Sequence, residues 1–406
     1  MKTYNYTLQY IDNMPYLIPF GQGISNHIPS ILLNETSVLL WDAIHIYETI
    51  EEMVDYLIQK FQPETQDEKV ELENDVKQFM NLLEQFHVFA NLSFDNFDAF
   101  NSFASYTTKT IAFNIAGISM LYVGLEDLFS DKFAPFLYNE SSQSHPILYA
   151  KTPQPQLTIY TAMLPSFKTV GTILVRSDDM TIYENDTEYI FIMHTYNYIK
   201  ECHLSKNTMK CIIYHNTLNL DDLETAREEV FHTIRQVFLY KAQQHNMFVI
   251  HSASILYKEK AWLFSAPSGT GKSTHASLWN DLYHTPCING DLNLLAITDT
   301  NVEVRGIPWC GTSGISDNKT YPLGGIIFLK QHPTDTIQPL TQAEKILYTM
   351  QRFISPAWTK KMVCKNLDAA DFISKHTMIT RLLCTKQPSS VQLIHAEIDK
   401  LTSIRS

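Results

Sequence analysis

Several features are scarce in this sequence of 406 residues, and each scarcity removes a class of function. No apolar run approaches the ~18 residues of a membrane span, so no transmembrane helix is expected. The opening stretch MKTYNYTLQYIDNMPYL has neither an apolar signal core nor a small-residue cleavage site. The six cysteines, Cys202, Cys211, Cys287, Cys310, Cys364 and Cys384, never stand as C-x-x-C. That spacing fits reduced thiols in a cytoplasmic protein. Charged residues are only 18% against 45% hydrophobic, a globular composition and neither a disordered nor a fibrous one. Basic residues are short as well: 31 Lys and Arg face 43 Asp and Glu, a net charge of -12. The whole deficit lies in the first 100 residues, with 16 acidic side chains against 4 basic, and the remainder balances at 27 each. An acidic module repels nucleic-acid phosphates and attracts basic partners, so neither nucleic acid nor a membrane is expected as a partner. The length exceeds what one core usually serves, and the charge asymmetry marks the first quarter as a separate module.

Residues 1–30 alternate weakly and carry Pro15, Pro19, Gly21, Gly23 and Pro29, which suits short strands and turns. A helical period follows. Ile50, Met53, Val54, Leu57, Ile58 and Phe61 fall on one face, and Thr49 with Glu52 forms a capping box at its start. Val76, Phe79, Met80, Leu83 and Phe86 mark a second amphipathic helix, and the module is expected to hold three helices and to end near residue 92. LLNETSVLLWDAI followed by ETIEEMVDYLIQKF and the acidic helix resembles the PqqD family over roughly residues 15–90. The resemblance implies a small winged-helix domain that takes up the leader of a ribosomally made peptide as an added strand.

Between residues 97 and about 220 the runs TKTIAFNIAGISMLYVG, PQLTIYTAM, YIFIMHTYN and MKCIIYH are rich in Ile, Thr and aromatics and broken by polar stretches. They predict a mostly β segment without a catalytic constellation. DDLETAREEVFHTIRQVFLYKAQQHN then predicts a helix with Val230, Ile234, Val237 and Phe238 on one face and a stop at Asn246. MFVIHSASILY and KAWLFSA read as two strands, the second running into APSGTGKST.

That stretch has the form [AG]-x-x-x-x-G-K-[ST], with Ala266 in the first position. Gly269 and Gly271 let backbone N–H groups wrap a phosphate where side chains would collide. The positive end of the following helix favours the same anion. Ala266, Pro267, Ser268, Gly269, Thr270, Gly271, Lys272, Ser273 and Thr274 are thus the expected nucleotide-binding residues. Lys272 reaches the β and γ phosphates and the Ser273 hydroxyl holds Mg²⁺. A phosphate loop does not by itself choose a reaction. Downstream, CINGDLNLLAI places Asp291 at a break in an apolar run, suited to holding Mg²⁺, to taking a proton from an acceptor hydroxyl, or to a plain turn. Upstream, His251 lies in an apolar strand, as a core residue or as part of the site. Glu303, in EVRGIPWCGTSG, is a second carboxylate for metal or a surface residue.

The order His251, loop with Lys272, Asp291 and Glu303-x-Arg-Gly resembles the HPr kinase family, whose nucleotide core is shared with phosphoenolpyruvate carboxykinase. The resemblance spans about residues 225–345. It implies phosphate transfer from ATP to a serine hydroxyl, with Asp291, His251 and Lys272 catalytic and Ser273, Asp291 and Glu303 on the metal. The family usually carries two consecutive aspartates, and Gly290 stands where the first is expected. Either Asp291 then does both jobs or His251 helps. TQAEKILYTMQRFI, with a Thr341–Glu344 capping box, and SSVQLIHAEIDKLTSI predict two C-terminal helices.

The sequence is thus expected to be an α/β multidomain protein: residues 1–95 a PqqD-like winged-helix peptide-binding domain, 96–222 a β-rich middle segment, and 223–406 an HPr kinase-like P-loop domain. The expected function is an ATP- and Mg²⁺-dependent kinase acting on a precursor peptide or small protein, and self-association into a homo-oligomer stays open. Two alternatives stand beside it: a nucleotide hydrolase or small-molecule kinase of carboxykinase-like fold, and a nucleotide-gated peptide-binding regulator without transfer chemistry.

Overall fold

The structure, a computed structural model, describes residues 5–47, 49–86, 88, 109–138, 154–163, 171–208, 210–215 and 222–403. The chain divides into two compact units. The first comprises Met1–Asp95 with Leu174–Ser177 and Ala357–Val363, and the second takes the rest. The end of the first module near residue 92 and the boundary at 95/96 lie outside the described residues.

The first unit begins with a hairpin of β1 (Tyr6–Ile11) and β2 (Met14–Pro19). Its turn residues Asp12 and Asn13 are left-handed at φ 51° and 60°, the twist that a two-residue hairpin needs. After α1 (Gln22–Ser25), the two-residue β3 (Ile31–Leu32) pairs with β2, so β1 and β3 are the edges of the sheet. Three longer helices follow. Asn34 caps α2 (Glu35–Ala43), the Thr49–Glu52 capping box opens α3 (Ile50–Phe61) as expected, and an unexpected Thr65–Glu68 box opens α4 (Gln66–Gln85). Met53 and Leu57 of α3 and Val76, Phe79 and Leu83 of α4 pack with Leu17, Leu40 and Trp41. The apolar stripe of α3 is narrower than its sequence period suggested, because Ile50 and Phe61 at its two ends are exposed.

The second unit contains two sheets. The first has eight strands in the order β4-β5-β6-β11-β10-β9-β8-β7, of which β7 belongs to this unit only up to residue 173. They are β4 (Lys109–Ile115), β5 (Ile118–Gly124), β6 (Leu157–Met163), β7 (Thr172–Arg176), β8 (Met180–Glu184), β9 (Glu188–Met193), β10 (Ile199–Ser205) and β11 (Lys210–His215). Buried Cys202 and Cys211 stand with sulfurs 3.4 Å apart on β10 and β11, a neighbourhood that their sequence spacing did not suggest. The long α5 (Leu223–Gln244), capped by Asp222, fastens this sheet to the rest of the unit. Its buried Glu229 accepts the N–H groups of Asn197, Tyr198 and Ile199 at 2.6, 2.8 and 2.9 Å. The expected division at 222/223 is therefore an internal joint, because the β-rich segment and the phosphate-loop region share one unit.

The second sheet is mixed. Its strands are β12 (Met247–His251), β13 (Ala253–Tyr257), β14 (Lys260–Ser265), β15 (Cys287–Asn289), β16 (Leu292–Ile297), β17 (Val302–Arg305), β18 (Thr320–Gln331), β19 (Thr336–Gln338) and β20 (Met378–Cys384). The main order is β12-β16-β17-β18-β14-β13-β15, with β20 beside β18, and β14, β18 and β20 run parallel. On one face, α6 (Lys272–Tyr283) and α9 (Pro388–Ser403) bury Trp279, Ile394 and Ile398 against Phe264, Ile327 and Leu382. On the other, Ile250, Leu263, Leu295 and Ile326 pack with Leu340 and Ile373, in the region of α7 (Gln342–Arg352) and α8 (Lys360–His376). The Thr341–Glu344 capping box of α7 forms as expected. Among the described residues, no helix is long and apolar enough to cross a membrane.

Candidate functional site

The parallel strand β14 delivers its chain into the loop 266–271 and then into α6, which places the loop beyond the carboxyl end of a strand, where α/β sheets gather ligands. Gly269 and Gly271 adopt φ +74° and +112°, conformations that an L side chain rarely takes. A Cβ at either would meet nothing within 4 Å. The space above the loop is open, and the glycines answer to backbone shape rather than to crowding by the protein. Pro267, Ser268 and Gly269 are exposed, as are Ser273 and Thr274 at the start of α6. Thr270 is tied through its carbonyl to Gln331 Nε2 at 3.1 Å.

Lys272 is 8% exposed and donates to the Ala266 carbonyl at 3.2 Å. The residue in the first position of the motif thus holds the lysine through its backbone. Burial pushes the ammonium below its ordinary range, Asp291 pulls it back up, and Arg352 at the end of α7 pushes it down. A second anion arriving at the loop would relieve that cost.

The apolar run MFVIHSASILY is two strands. It breaks at Ser252, whose N–H donates to the Asp291 carbonyl at 2.9 Å. β12 pairs with β16, whereas β13 pairs with β14. His251 therefore ends β12 at the junction rather than standing within the neighbour of the loop strand. There its Nε2 lies 2.8 Å from Asp291 Oδ1. Asp291 is held below the usual carboxylate range, first by this hydrogen bond and further by the charges of Lys272 and Arg235. An ionised carboxylate only accepts, so His251 Nε2 carries the hydrogen and Nδ1 is the basic atom of the ring.

A buried polar network holds this turn in place. Asn289 Oδ1 accepts the N–H groups of Asp291 and Leu292, both at 3.0 Å. Ser254 Oγ donates to Asn293 Oδ1 at 2.6 Å, and Asn293 Nδ2 reaches the Ser252 carbonyl at 2.7 Å. Ser252, Ser254, Asn289 and Asn293 are all buried, so each lost partner leaves an expensive orphan.

The structure brings Lys272 and Asp291 within electrostatic reach of each other and bonds His251 to Asp291. It leaves Glu303 apart. Glu303 lies on β17 opposite Ala296, at the far end of β16 from Asp291, roughly 16 Å away by strand rise. Its carboxylate is engaged by Arg305 Nη2 at 2.8 Å, and both residues line an open pocket with Asn114, Gly117 and Asn318. The metal role read for Glu303 is therefore corrected: the strand register separates it from the loop. Among the described residues, no group of three His, Cys, Asp or Glu side chains is placed to hold a metal. Mg²⁺ shared with nucleotide phosphates needs only one or two protein ligands, and exposed Ser273 with Asp291 fits that lesser demand.

Three features escaped the sequence reading. Arg235 on α5 and Arg352 on α7 both send charge into the site, and burial pushes both guanidinium groups below their ordinary range. Arg235 sits next to Ile234 in the apolar stripe of α5, and a cation in such a stripe was the available signal. The third is Ser313. A Cβ at Gly290 would come within 2.3 Å of its Oγ, so Ser313 takes up the space that a side chain at residue 290 would need.

Beneath the loop, buried His275 accepts from Trp279 Nε1 at 3.3 Å, and burial pushes its pKa down to about 4. The neutral ring is the folded form. A folded pKa below the unfolded value means that stability is complete above about pH 6.5 and falls as the pH drops toward 4. The loss should reach about 2 kcal/mol by pH 5, and His275→Gln should flatten that part of a denaturant-midpoint profile. An unchanged profile would show that His275 titrates normally.

No protein-family model matches the sequence, and no curated protein matches it.

Proposed function

We propose that this chain is an ATP-dependent kinase of HPr kinase-like design. It transfers the γ-phosphate to a serine hydroxyl of a ribosomally made peptide or small protein taken up by a PqqD-like N-terminal module. The observation that carries the reading is the His251–Asp291 pair, bonded at 2.8 Å and within the electrostatic reach of the phosphate-loop lysine. A loop alone binds nucleotide. A loop with a carboxylate–imidazole pair beside it also has somewhere to send a hydroxyl proton.

In the proposed reaction the acceptor oxygen attacks the γ-phosphorus while the bond to the β–γ bridging oxygen breaks and ADP leaves. The hydroxyl proton passes to the His251–Asp291 pair, with Nδ1 as the basic atom and the carboxylate stabilising the imidazolium. Lys272 and the loop N–H groups neutralise the phosphate oxygens. Mg²⁺, held by Ser273 and Asp291, would supply further charge neutralisation when bound. In the first unit, β3 is a sheet edge with exposed Leu32, and a groove of about 240 Å³ runs between the start of α2 and α4. An open edge and a side groove are what strand addition by a peptide requires. Tethering raises the local concentration of the acceptor, so a weak kinase pocket suffices.

The test is intact mass of candidate precursor peptides, encoded beside the gene, after incubation with Mg·ATP. A mass gain of one phosphate is expected with wild type and is lost in Lys272→Met. ATP turnover without any phosphopeptide would establish the hydrolase reading instead. Ser313 in the space that a side chain at residue 290 would need favours the nucleotide-gated regulator, for which ATP would change peptide affinity without turnover.

A further inference from the structure

Arg235 stands on α5 one turn beyond Phe231, whose carbonyl accepts Trp309 Nε1 at 3.1 Å. Phe238, three residues further on, lies against the same indole with ring centroids 5.1 Å apart. The carbonyl of Trp309 accepts Asn289 Nδ2 at 3.2 Å, and Asn289 in turn holds the N–H of Asp291 at 3.0 Å. The helix segment that carries Arg235 is thus fastened, contact by contact, to the turn that presents Asp291. Arg235 Nε is buried and has no hydrogen-bond partner among the described residues. The groups whose charge its guanidinium feels are Tyr196 first and then Asp291. A buried donor without a partner is costly, and a buried cationic one more so, so such a group is retained where something fills it.

We infer that Arg235 is a further catalytic residue, whose guanidinium binds the oxygens of the phosphoryl group as it passes from nucleotide to acceptor. This inference rests on the kinase reading above and divides the cations of that site by task. Lys272 lies on the loop, and Arg352 acts on Lys272, which puts both on the nucleotide. Arg235 stands on the helix segment tied through Trp309 and Asn289 to the turn of Asp291, which puts it at the acceptor end. The forked guanidinium suits two oxygens of one phosphoryl group, stays protonated throughout, and neither gives nor takes a proton. Charge on those oxygens is greatest during transfer, so the contribution falls on the transition state rather than on ATP binding.

The experiment compares wild type with Arg235→Ala and Arg235→Gln, measuring affinity for Mg·ATP, for ADP, and for ADP with aluminium fluoride, together with peptide phosphorylation. For both variants, Mg·ATP and ADP affinities should stay close to wild type. The gain in affinity on adding aluminium fluoride, and the transfer rate, should each fall about a hundredfold. Added guanidinium ion should restore part of the rate to Arg235→Ala. Retained ATP affinity shows that the variants are folded. If both keep the fluoride gain and the rate, or lose ATP affinity in the same proportion as the rate, the inference is overturned. The fluoride measurement needs no acceptor. A wild-type gain that both variants lose, without any phosphopeptide, supports Arg235 and counts against the acceptor proposed above. Neither gain nor transfer in wild type overturns both readings.

Discussion

Asp291→Asn is expected to lower phosphate transfer about a thousandfold, within the range for loss of a positioned acid–base group. The substitution keeps the shape of the side chain and removes its charge. In the native turn, Asp291 Oδ1 stands 2.8 Å from His251 Nε2, and the carboxylate stays ionised because that bond and the nearby cations hold its pKa down. An amide offers His251 either an N–H or a weaker oxygen. The first reverses the tautomer and blocks Nδ1, and the second leaves the imidazolium without a counter-charge. Two further measurements separate the roles. If Asp291 also holds Mg²⁺, Mg·ATP affinity falls along with the rate, and if it serves only the proton, affinity is kept. His251→Ala combined with Asp291→Asn should cost little more than the worse single change, because the two act as one unit. A rate within tenfold of wild type for Asp291→Asn would remove this carboxylate from the chemistry.

How far this site was legible depended on whether the signal was local. The loop is a local object: two glycines, a lysine and a hydroxyl between a strand and a helix, and Gly269 and Gly271 take the left-handed φ that such a wrap requires. The capping boxes at Thr49 and Thr341 are local for the same reason. His251 was noticed but set within one continuous strand. Its true place depends on Ser252 bonding Asp291, distant in sequence, and no hydrophobic period carries that information. Glu303 was attractive because it precedes Arg-Gly, yet cross-strand register puts it opposite Ala296 and hands it to Arg305. The strands β17, β19 and β20 and the helix α8 were not read, and β7, β8 and β10 were covered only by the β-rich reading of residues 97–220. They lie in stretches where polar and apolar residues alternate weakly, and their state is settled by sheet neighbours and by tertiary packing. Arg235 left only a faint signal, a cation beside the apolar stripe of α5. Its importance lies in a buried Nε without a hydrogen-bond partner among the described residues, and that is a property of its surroundings.

The glycine that precedes Asp291 leads to the second large effect. Gly290→Asp, which would set two carboxylates side by side, is expected to destabilise the protein by about 3 kcal/mol and to abolish the proposed transfer. A Cβ at residue 290 would lie 2.3 Å from Ser313 Oγ and 2.4 Å from Ser313 Cβ, so the clash involves the base of a side chain and not only its tip. Ser313 cannot simply swing away. Its Oγ donates to the Cys310 carbonyl at 2.7 Å and accepts the N–H of Ile315 at 3.2 Å. The short turn that carries it is flanked by Gly311 and Gly314, both left-handed at φ 60° and 64°. Gly311 is itself pressed against Asp291, since a Cβ there would stand 2.9 Å from its carboxyl carbon. The turn Cys310–Gly314 and the turn Gly290–Asp291 are therefore fitted to each other, and the small residue in one answers the larger residue in the other. Removing the obstruction tests this directly. Gly290→Asp combined with Ser313→Gly should recover most of the lost stability, measured by denaturant midpoint, whereas Ser313→Ala should recover little because its Cβ remains. Equal stability of Gly290→Asp with and without Ser313→Gly would show that the turn yields freely.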